Sequence, residues 1–198
     1  IAEALSTLQD ADFRRVEAGR GISAIQETGG VLIRSLVNYR NAERRDMAAE
    51  EKLARKAGGL IIWDLSHATG VIEVALNKAG ARLATGCTYK YLNGGPGAPS
   101  FLYVQKDLIE TLESPMPGWM GHASPFTFEP EYTPASDITR FANGTPPILS
   151  LAALSGALEA FEALDISLVA AKARALGDLV TTRARDIGLT GGSPLQGK

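Results

Sequence analysis

Four polar side chains in two short segments carry the chemistry of this chain. Asp64 and His67 follow the apolar run 59–63, and Tyr89 and Lys90 open a glycine-rich segment further along. A lysine amine can form a Schiff base with an aldehyde, and a carboxylate can keep a pyridinium nitrogen protonated. A tyrosine hydroxyl can donate a hydrogen bond to a phosphate. These groups together predict a site for pyridoxal phosphate.

Each of these residues also has a common structural explanation when it is taken alone. Asp64 could cap a turn, His67 could be a satisfied surface histidine, and Lys90 could be solvated. Tyr89 could be a half-buried packing residue. The glycines at 94–97 do not match G-x-x-x-x-G-K-[ST], so a nucleotide loop is not indicated, and they are more typical of a tight turn. The combination of the four residues favours the cofactor.

Composition excludes several other classes of function. The chain has 198 residues, 45% hydrophobic, with a net charge of -2, so it is typical of a globular domain without a basic surface for nucleic acid. It has no long apolar run for a membrane span. His67 and His122 lack the spacing of a metal site, and no G-x-S-x-G elbow is present. The single Cys87 allows no internal disulfide and fits a reducing, cytoplasmic location.

Alternating strands and helices predict an α/β fold. We expect three layers, with a mostly parallel sheet flanked by helices, because the apolar run 60–63 is typical of a strand covered on both faces. The long connection 114–147 is rich in Pro, Gly and aromatic residues and predicts a functional loop. The predicted elements are helices within 1–27, strands at 31–37, 60–63, 81–87 and an antiparallel 99–104, and helices at 46–56, 148–163 and 168–187.

The chain reads as a segment of a longer protein. It opens on Ile1 without a methionine and closes in a glycine-rich loop. We expect residues 1–150 to be part of a cofactor-binding large domain, and residues 151–198 to be a connecting helix with the beginning of a small C-terminal domain.

Four segments in a fixed order carry a resemblance to a known family. They are residues 63–70 (WDLSHATG), 86–97 (GCTYKYLNGGPG), 118–122 (GWMGH) and 140–149 (RFANGTPPIL). With residues 37–40 (VNYR) upstream, they resemble kynureninase, a pyridoxal-phosphate enzyme of the aspartate-aminotransferase fold (fold type I). The likeness is strong from about residue 31 to residue 154 and looser at each end.

The resemblance implies a role for each matching position. Lys90 would form the Schiff base with the cofactor, Asp64 would pair with the ring nitrogen, and His67 would lie near the phenolic oxygen. Tyr89 would bind the phosphate and exchange protons with the substrate. Ser35 matches a further cofactor contact. Trp119 and Thr145 would reach the phosphate of the partner subunit's cofactor, which implies a homodimer with a shared site.

The implied reaction is hydrolysis of L-kynurenine, or of 3-hydroxykynurenine, to anthranilate (3-hydroxyanthranilate) and L-alanine in tryptophan degradation. The family's phosphate loop, the aromatic residue that stacks on the ring and the arginine that binds the substrate carboxylate have no counterpart in this chain. Two alternatives stay open. One is another enzyme of fold type I, such as a cysteine desulfurase or a class V aminotransferase, and the other is a non-catalytic fragment.

Overall fold

A four-stranded mixed β-sheet forms the centre of the molecule. The computed structural model describes residues 11–191 and Ser193. The strands are β1 (Val31–Ser35), β2 (Leu60–Asp64), β3 (Leu83–Cys87) and β4 (Ser100–Val104), and they lie side by side in that order. β1, β2 and β3 are parallel, whereas β4 returns antiparallel to β3. The predicted α/β fold with a mostly parallel sheet is confirmed.

Helices connect the strands and follow the sheet. They are α1 (Gly21–Thr28), α2 (Met47–Lys56), α3 (Leu76–Ala79), α4 (Lys106–Ile109), α5 (Ile148–Glu159) and α6 (Ile166–Asp186), with 3₁₀ turns at Ala18–Arg20, Trp119–Gly121 and Ile138–Phe141. The sequence did not predict α3 and α4, because four residues are too short to show a helical period. Residues 11–17 are not helical, and the rest of the predicted N-terminal helix, residues 1–10, lies outside the described residues.

Helix α2 ends at its predicted residue and begins one residue after its predicted start at 46. The carboxylate of Asp46 accepts a hydrogen bond from the backbone N–H of Ala49 at 3.0 Å, which caps the first turn. Arg55 and Lys56 lie in the last turn, where the helix dipole favours positive charge. Gly58 then adopts a φ of 71°, a conformation that costs glycine little, and leads the chain into β2.

The hydrophobic core lies on one face of the sheet. Ile61, Trp63 and Ala84 point to this face and are fully buried, together with Ile25 of α1 and Ala54 of α2. On the opposite face the side chains of β1 and β4 are accessible: Val31 is 60% exposed, Ile33 58% and Leu102 49%. The second helical layer of the predicted three-layer arrangement would cover this face.

One buried polar pair fixes the packing of α2 on β2. The indole N–H of Trp63 donates to the carboxylate of Glu51 at 2.8 Å, and both side chains are almost completely buried. Burial raises the pKa of Glu51 above its ordinary value, although the Trp63 hydrogen bond and the charges of Arg55 and Arg82 partly offset this. The pair joins the helix to the strand one residue before Asp64.

No helix within residues 11–191 is long and apolar enough to cross a lipid bilayer.

The Glu51–Trp63 pair yields a prediction for stability. Glu51→Ala leaves a buried indole N–H without an acceptor, so we expect the free energy of unfolding at neutral pH to fall by about 2 kcal/mol. Glu51→Gln keeps an acceptor oxygen and should cost much less. Urea unfolding curves measure both values, and the exposed neighbour Lys52→Ala is the control.

The raised pKa also sets the direction of the pH dependence. The part of the stability that depends on protonation of Glu51 is fully present below the ordinary carboxyl pKa of about 4.3 and is lost as pH rises through the higher folded pKa, whereas the hydrogen bond from Trp63 remains. Glu51→Gln should therefore remove a loss of stability above about pH 4. An unchanged pH dependence in this variant would contradict the assignment.

Candidate active site

The parallel strands bring their carboxyl ends to one edge of the sheet. Ser35 ends β1 and Asp64 ends β2, and the two residues are direct partners in the strand register. β3 ends at Cys87, from where the chain continues into the segment that contains Tyr89 and Lys90. The carboxyl edge of a parallel sheet is where α/β proteins bind their ligands.

The carboxylate of Asp64 is half-buried and well supplied with hydrogen-bond donors. Its Oδ2 accepts from the hydroxyl of Ser35 at 2.9 Å, and its Oδ1 accepts from the backbone N–H of Ser66 at 2.9 Å. Burial is the largest single influence on the pKa of this carboxyl and acts to raise it. The hydrogen bonds from Ser66 and Ser35, together with the charge of His67, outweigh burial, so the pKa of Asp64 lies below its ordinary value.

A tight turn after β2 carries His67 towards the segment that follows β3. The turn is tied back to β3, since the N–H of Leu65 donates to the carbonyl of Thr85 at 2.8 Å. Gly70 has a φ of 92°, and a Cβ at this position would lie 2.9 Å from the backbone of Tyr91. Glycine is therefore required for the turn to pass so close to the residue after Lys90.

Lys90 and His67 are in direct contact. The amine Nζ of Lys90 lies 3.0 Å from the imidazole Nε2 of His67, and 5.5 Å from the centre of the Tyr89 ring. The segment around the lysine is held by Thr88, whose hydroxyl donates to the carbonyl of Pro99 and whose carbonyl accepts from the N–H of Gly94 at 3.0 Å. The Tyr89 ring is 51% exposed, so its hydroxyl is available to a ligand.

One hydrogen bond joins Ser35 to Asp64, another joins His67 to Lys90, and the charge of His67 acts on Asp64. These four residues therefore form one group, although 55 residues (90 − 35) separate Ser35 from Lys90 along the chain. The group contains a half-buried amine, an imidazole beside it and a carboxylate that stays ionised near neutral pH. An ionised carboxylate can hold a protonated ring nitrogen, and an accessible amine can bond to an aldehyde. The residues present therefore fit pyridoxal phosphate.

Trp119 and Thr145 lie in a second group of contacts. The Trp119 ring packs edge-to-face on Phe126 at 5.6 Å, and it is 43% exposed. Gly118 lies directly against the backbone carbonyl of Asn143, so a side chain at position 118 would have no space. The segments that contain Trp119 and Thr145 therefore meet each other. Thr145 is exposed, and both residues are accessible to a second molecule.

Sequence reasoning assigned no role to Tyr39, which the structure brings to the site. Its ring stacks on the imidazole of His67 with centroids 6.1 Å apart and planes inclined by 29°. Arg40 donates from Nε to the Tyr39 hydroxyl at 3.0 Å. The position of Tyr39, four residues after the end of β1, was the signal that could have indicated it, because such positions lie at the ligand-binding edge.

A cavity of about 560 Å³ lies elsewhere, at the start of α2, where Asp46, Met47 and Lys78 are among the residues that line it. It contains none of the residues of the candidate site. Among the described residues, no group of three or more His, Cys, Asp or Glu side chains is arranged to hold a metal ion.

The fold and the site belong to a known class. Residues 25–191 match the family described as Aminotransferase class-V, and the chain belongs to this family. The apo structure of a cysteine desulfurase from Thermococcus onnurineus NA1 has a TM-score of 0.77 at 17% identity, over 98% of this chain and 50% of that chain. An alanine–glyoxylate aminotransferase from Nostoc sp. has a TM-score of 0.64 at 19% identity, over 88% and 46%. These two structures share the fold.

Within that class, the sequence is similar to kynureninases. The kynureninase of Pseudomonas fluorescens is 40% identical over 182 residues, which cover 90% of this chain and 44% of that protein. The kynureninase of Deinococcus radiodurans is 40% identical over 179 residues, with the same coverage. The predicted resemblance is confirmed. The chain spans less than half the length of these curated relatives.

The hydrogen bond from Ser35 yields a prediction for the site. Ser35→Ala removes one donor from Asp64, so we expect the pKa of the Asp64 carboxyl to rise towards its ordinary value of about 3.9. Carbon-13 NMR titration of labelled aspartate measures this pKa. Ser23→Ala, which alters a distant exposed hydroxyl, should leave the titration of Asp64 unchanged.

The pH dependence of the free energy of unfolding should change together with the pKa of Asp64. The ionised, hydrogen-bonded Asp64 stabilises the fold above its ordinary pKa, and this contribution is lost as pH falls through the lower folded pKa. Ser35→Ala should therefore reduce the additional stability gained between strongly acidic and neutral pH. An Asp64 titration that is identical with and without Ser35 would disprove the role of this bond.

Proposed function

We propose that this protein is a pyridoxal-phosphate-dependent hydrolase that cleaves the side chain of L-kynurenine or 3-hydroxykynurenine, releasing L-alanine and anthranilate or 3-hydroxyanthranilate. The observation that carries the proposal is the connected group of Lys90, His67 and Asp64 in a chain that is 40% identical to kynureninases. The fold alone does not identify the reaction, because proteins that share one fold can catalyse several different reactions.

The cofactor would be held by groups at the carboxyl edge of the sheet. Asp64, with its lowered pKa, supplies the negative charge that faces the ring nitrogen. Lys90 supplies the amine that links to the aldehyde, and the exposed Tyr89 hydroxyl can donate to the phosphate. Ser35 keeps the Asp64 carboxylate in place through its hydrogen bond. When bound, the cofactor withdraws electrons from the substrate's α-carbon.

The same side chains can move the protons that the reaction needs. In this proposal the Lys90 amine would serve as the base that removes the substrate's α-proton. His67 lies 3.0 Å from this amine and can exchange a proton with it. Tyr89 lies beside Lys90, and its side chain is exposed and not packed in the core. Its hydroxyl can therefore return a proton to the product carbon.

A cysteine desulfurase is the main alternative, because the fold is shared with one at a TM-score of 0.77. Such an enzyme needs a mobile nucleophilic cysteine. The single cysteine of this chain, Cys87, is half-buried at the end of β3, and its Sγ lies 3.9 Å from the carbonyl of Ser66. Cys87 therefore does not match that requirement, and the preference for the hydrolase rests on the 40% identity to kynureninases.

The proposal includes a homodimer with a shared site. Trp119 and Thr145 are both exposed and lie in the long connection 114–147. In this proposal they reach the cofactor phosphate of the partner subunit. We also propose that residues 1–150 belong to the cofactor-binding domain, and that residues 151–198 begin a second, smaller domain. The single Cys87 supports a reducing, cytoplasmic location.

The central test is whether replacement of Lys90 abolishes the activity. The full-length protein that contains this segment, purified with pyridoxal phosphate, should release anthranilate from L-kynurenine, which fluorescence detects. Lys90→Ala in that protein should lower the rate by at least about 100-fold, because it removes both the link to the cofactor and the base. Lys106→Ala, at an exposed position on α4, should retain the rate. Sulfide release from cysteine without anthranilate release would favour the desulfurase instead.

Mixed dimers test whether the site is shared. Lys90→Ala and Trp119→Ala proteins should each be inactive as homodimers. After unfolding and refolding together, half of the dimers are mixed, and each carries one intact site. About one quarter of the sites should then be active. A mixture that stays inactive, with dimers demonstrated by sedimentation, would contradict a shared site.

A further inference from the structure

The loop that follows β1 is fixed by its own backbone. Val37 pairs with Arg44 across the base of the loop, and inside it the N–H of Asn38 donates to the carbonyl of Glu43 at 2.9 Å. Ala42 has a φ of 58°, a left-handed conformation that is unfavourable for a residue with a Cβ. Such strain persists where the surrounding contacts determine the conformation, and it occurs most often beside functional sites.

The loop presents the ring of Tyr39 to His67 and not to the core. Tyr39 is 68% exposed, so its ring contributes little to the hydrophobic packing of the fold. One face stacks on the His67 imidazole, with centroids 6.1 Å apart. The guanidinium of Arg40 lies 5.6 Å from the ring centre, and its Nε donates to the Tyr39 hydroxyl. The ring is therefore held in place by contacts to two neighbours.

His67 connects this ring to the reactive amine. The imidazole stacks on Tyr39 and its Nε2 meets the Lys90 Nζ at 3.0 Å. A histidine side chain rotates about two bonds, so an exposed imidazole without a stacking partner samples several orientations. Only an orientation that directs Nε2 towards Lys90 preserves the contact. The stacked ring selects that orientation.

We propose that Tyr39 is a positioning residue for the Lys90 amine: its ring holds the His67 imidazole where Nε2 contacts Nζ. The inference rests on the proposed function for the use of Lys90, but the stacking can be tested without any reaction. The aromatic ring carries this role, and the hydroxyl serves to hold Arg40. Tyr39→Phe and Tyr39→Leu therefore separate the two parts of the side chain.

The first test uses the two histidines of the chain. In protein labelled with nitrogen-15 at histidine, the ring of Tyr39 should shift the imidazole carbon-bound protons of His67 upfield. Tyr39→Leu should remove this shift, and Tyr39→Phe should keep it. His122 is an internal control, since it packs edge-to-face on Tyr132 at 5.6 Å. Tyr132→Leu should change the His122 signals and leave those of His67 unaltered.

The second test measures the amine directly. Pyridoxal phosphate is added to the protein, the link is reduced with borohydride, and mass spectrometry gives the rate at which Lys90 becomes labelled. We expect Tyr39→Leu to slow this labelling by about tenfold, because displacement of a supporting group by ~1 Å can cost up to about 100-fold in an oriented reaction. Tyr39→Phe should retain the rate. Unchanged thermal unfolding of both variants shows that the fold is intact.

The outcomes separate the two proposals. If Lys90 of the unaltered protein is not labelled at all, the proposed function fails, whereas the histidine spectra still report on the stacking. If Lys90 is labelled normally but Tyr39→Leu labels at the same rate with unchanged His67 signals, Tyr39 has no positioning role. Equal losses in Tyr39→Phe and Tyr39→Leu would assign the effect to the hydroxyl and would also overturn the proposal.

Discussion

The parallel direction of β1, β2 and β3 is the constraint on which the site depends. Parallel strands end at the same edge, so residues that are distant in the chain become neighbours there. Ser35 and Asp64 are register partners, and the segment after β3 brings Lys90 to His67. The buried face of the sheet fixes this register, because a shift by one residue would turn Trp63 and Ile61 towards solvent and bury the opposite side chains.

Two neighbouring carboxylates show how the local donors decide the charge of a partly or fully buried acid. Glu51 and Asp64 both lose solvation on folding, and in both cases burial is the largest influence on the pKa. The donors to Glu51, led by the Trp63 indole, do not outweigh burial, and its pKa is raised. Asp64 has donors from Ser35 and Ser66, and its pKa is lowered. Strand β2 thus contributes Trp63, which binds Glu51 of helix α2, and ends in Asp64, whose carboxylate stays ionised at the edge of the sheet.

The fold and the sequence carry different information about function. A cysteine desulfurase and an aminotransferase share the architecture at identities below 20%, so the sheet and its helices are compatible with several reactions. The similarity to kynureninases lies in the sequence, which is 40% identical to one of them over 182 residues. Trp119, Val31 and Ile33 are exposed, and the chain spans less than half the length of the kynureninases that it matches.

The sequence by itself determined the order and type of the main elements, the approximate range of α2, and the residue types able to hold the cofactor. These features depend on local periodicity, capping and turn residues, which can be recognised in a short segment of sequence without knowledge of its tertiary contacts. It did not determine the short helices α3 and α4 or the loop that stacks Tyr39 on His67. Tertiary structure decided those, and with them the ionisation of Asp64 and the contact between His67 and Lys90. The physical reason is that each depends on distances between segments far apart in the chain, which exist only after the parallel strands have paired.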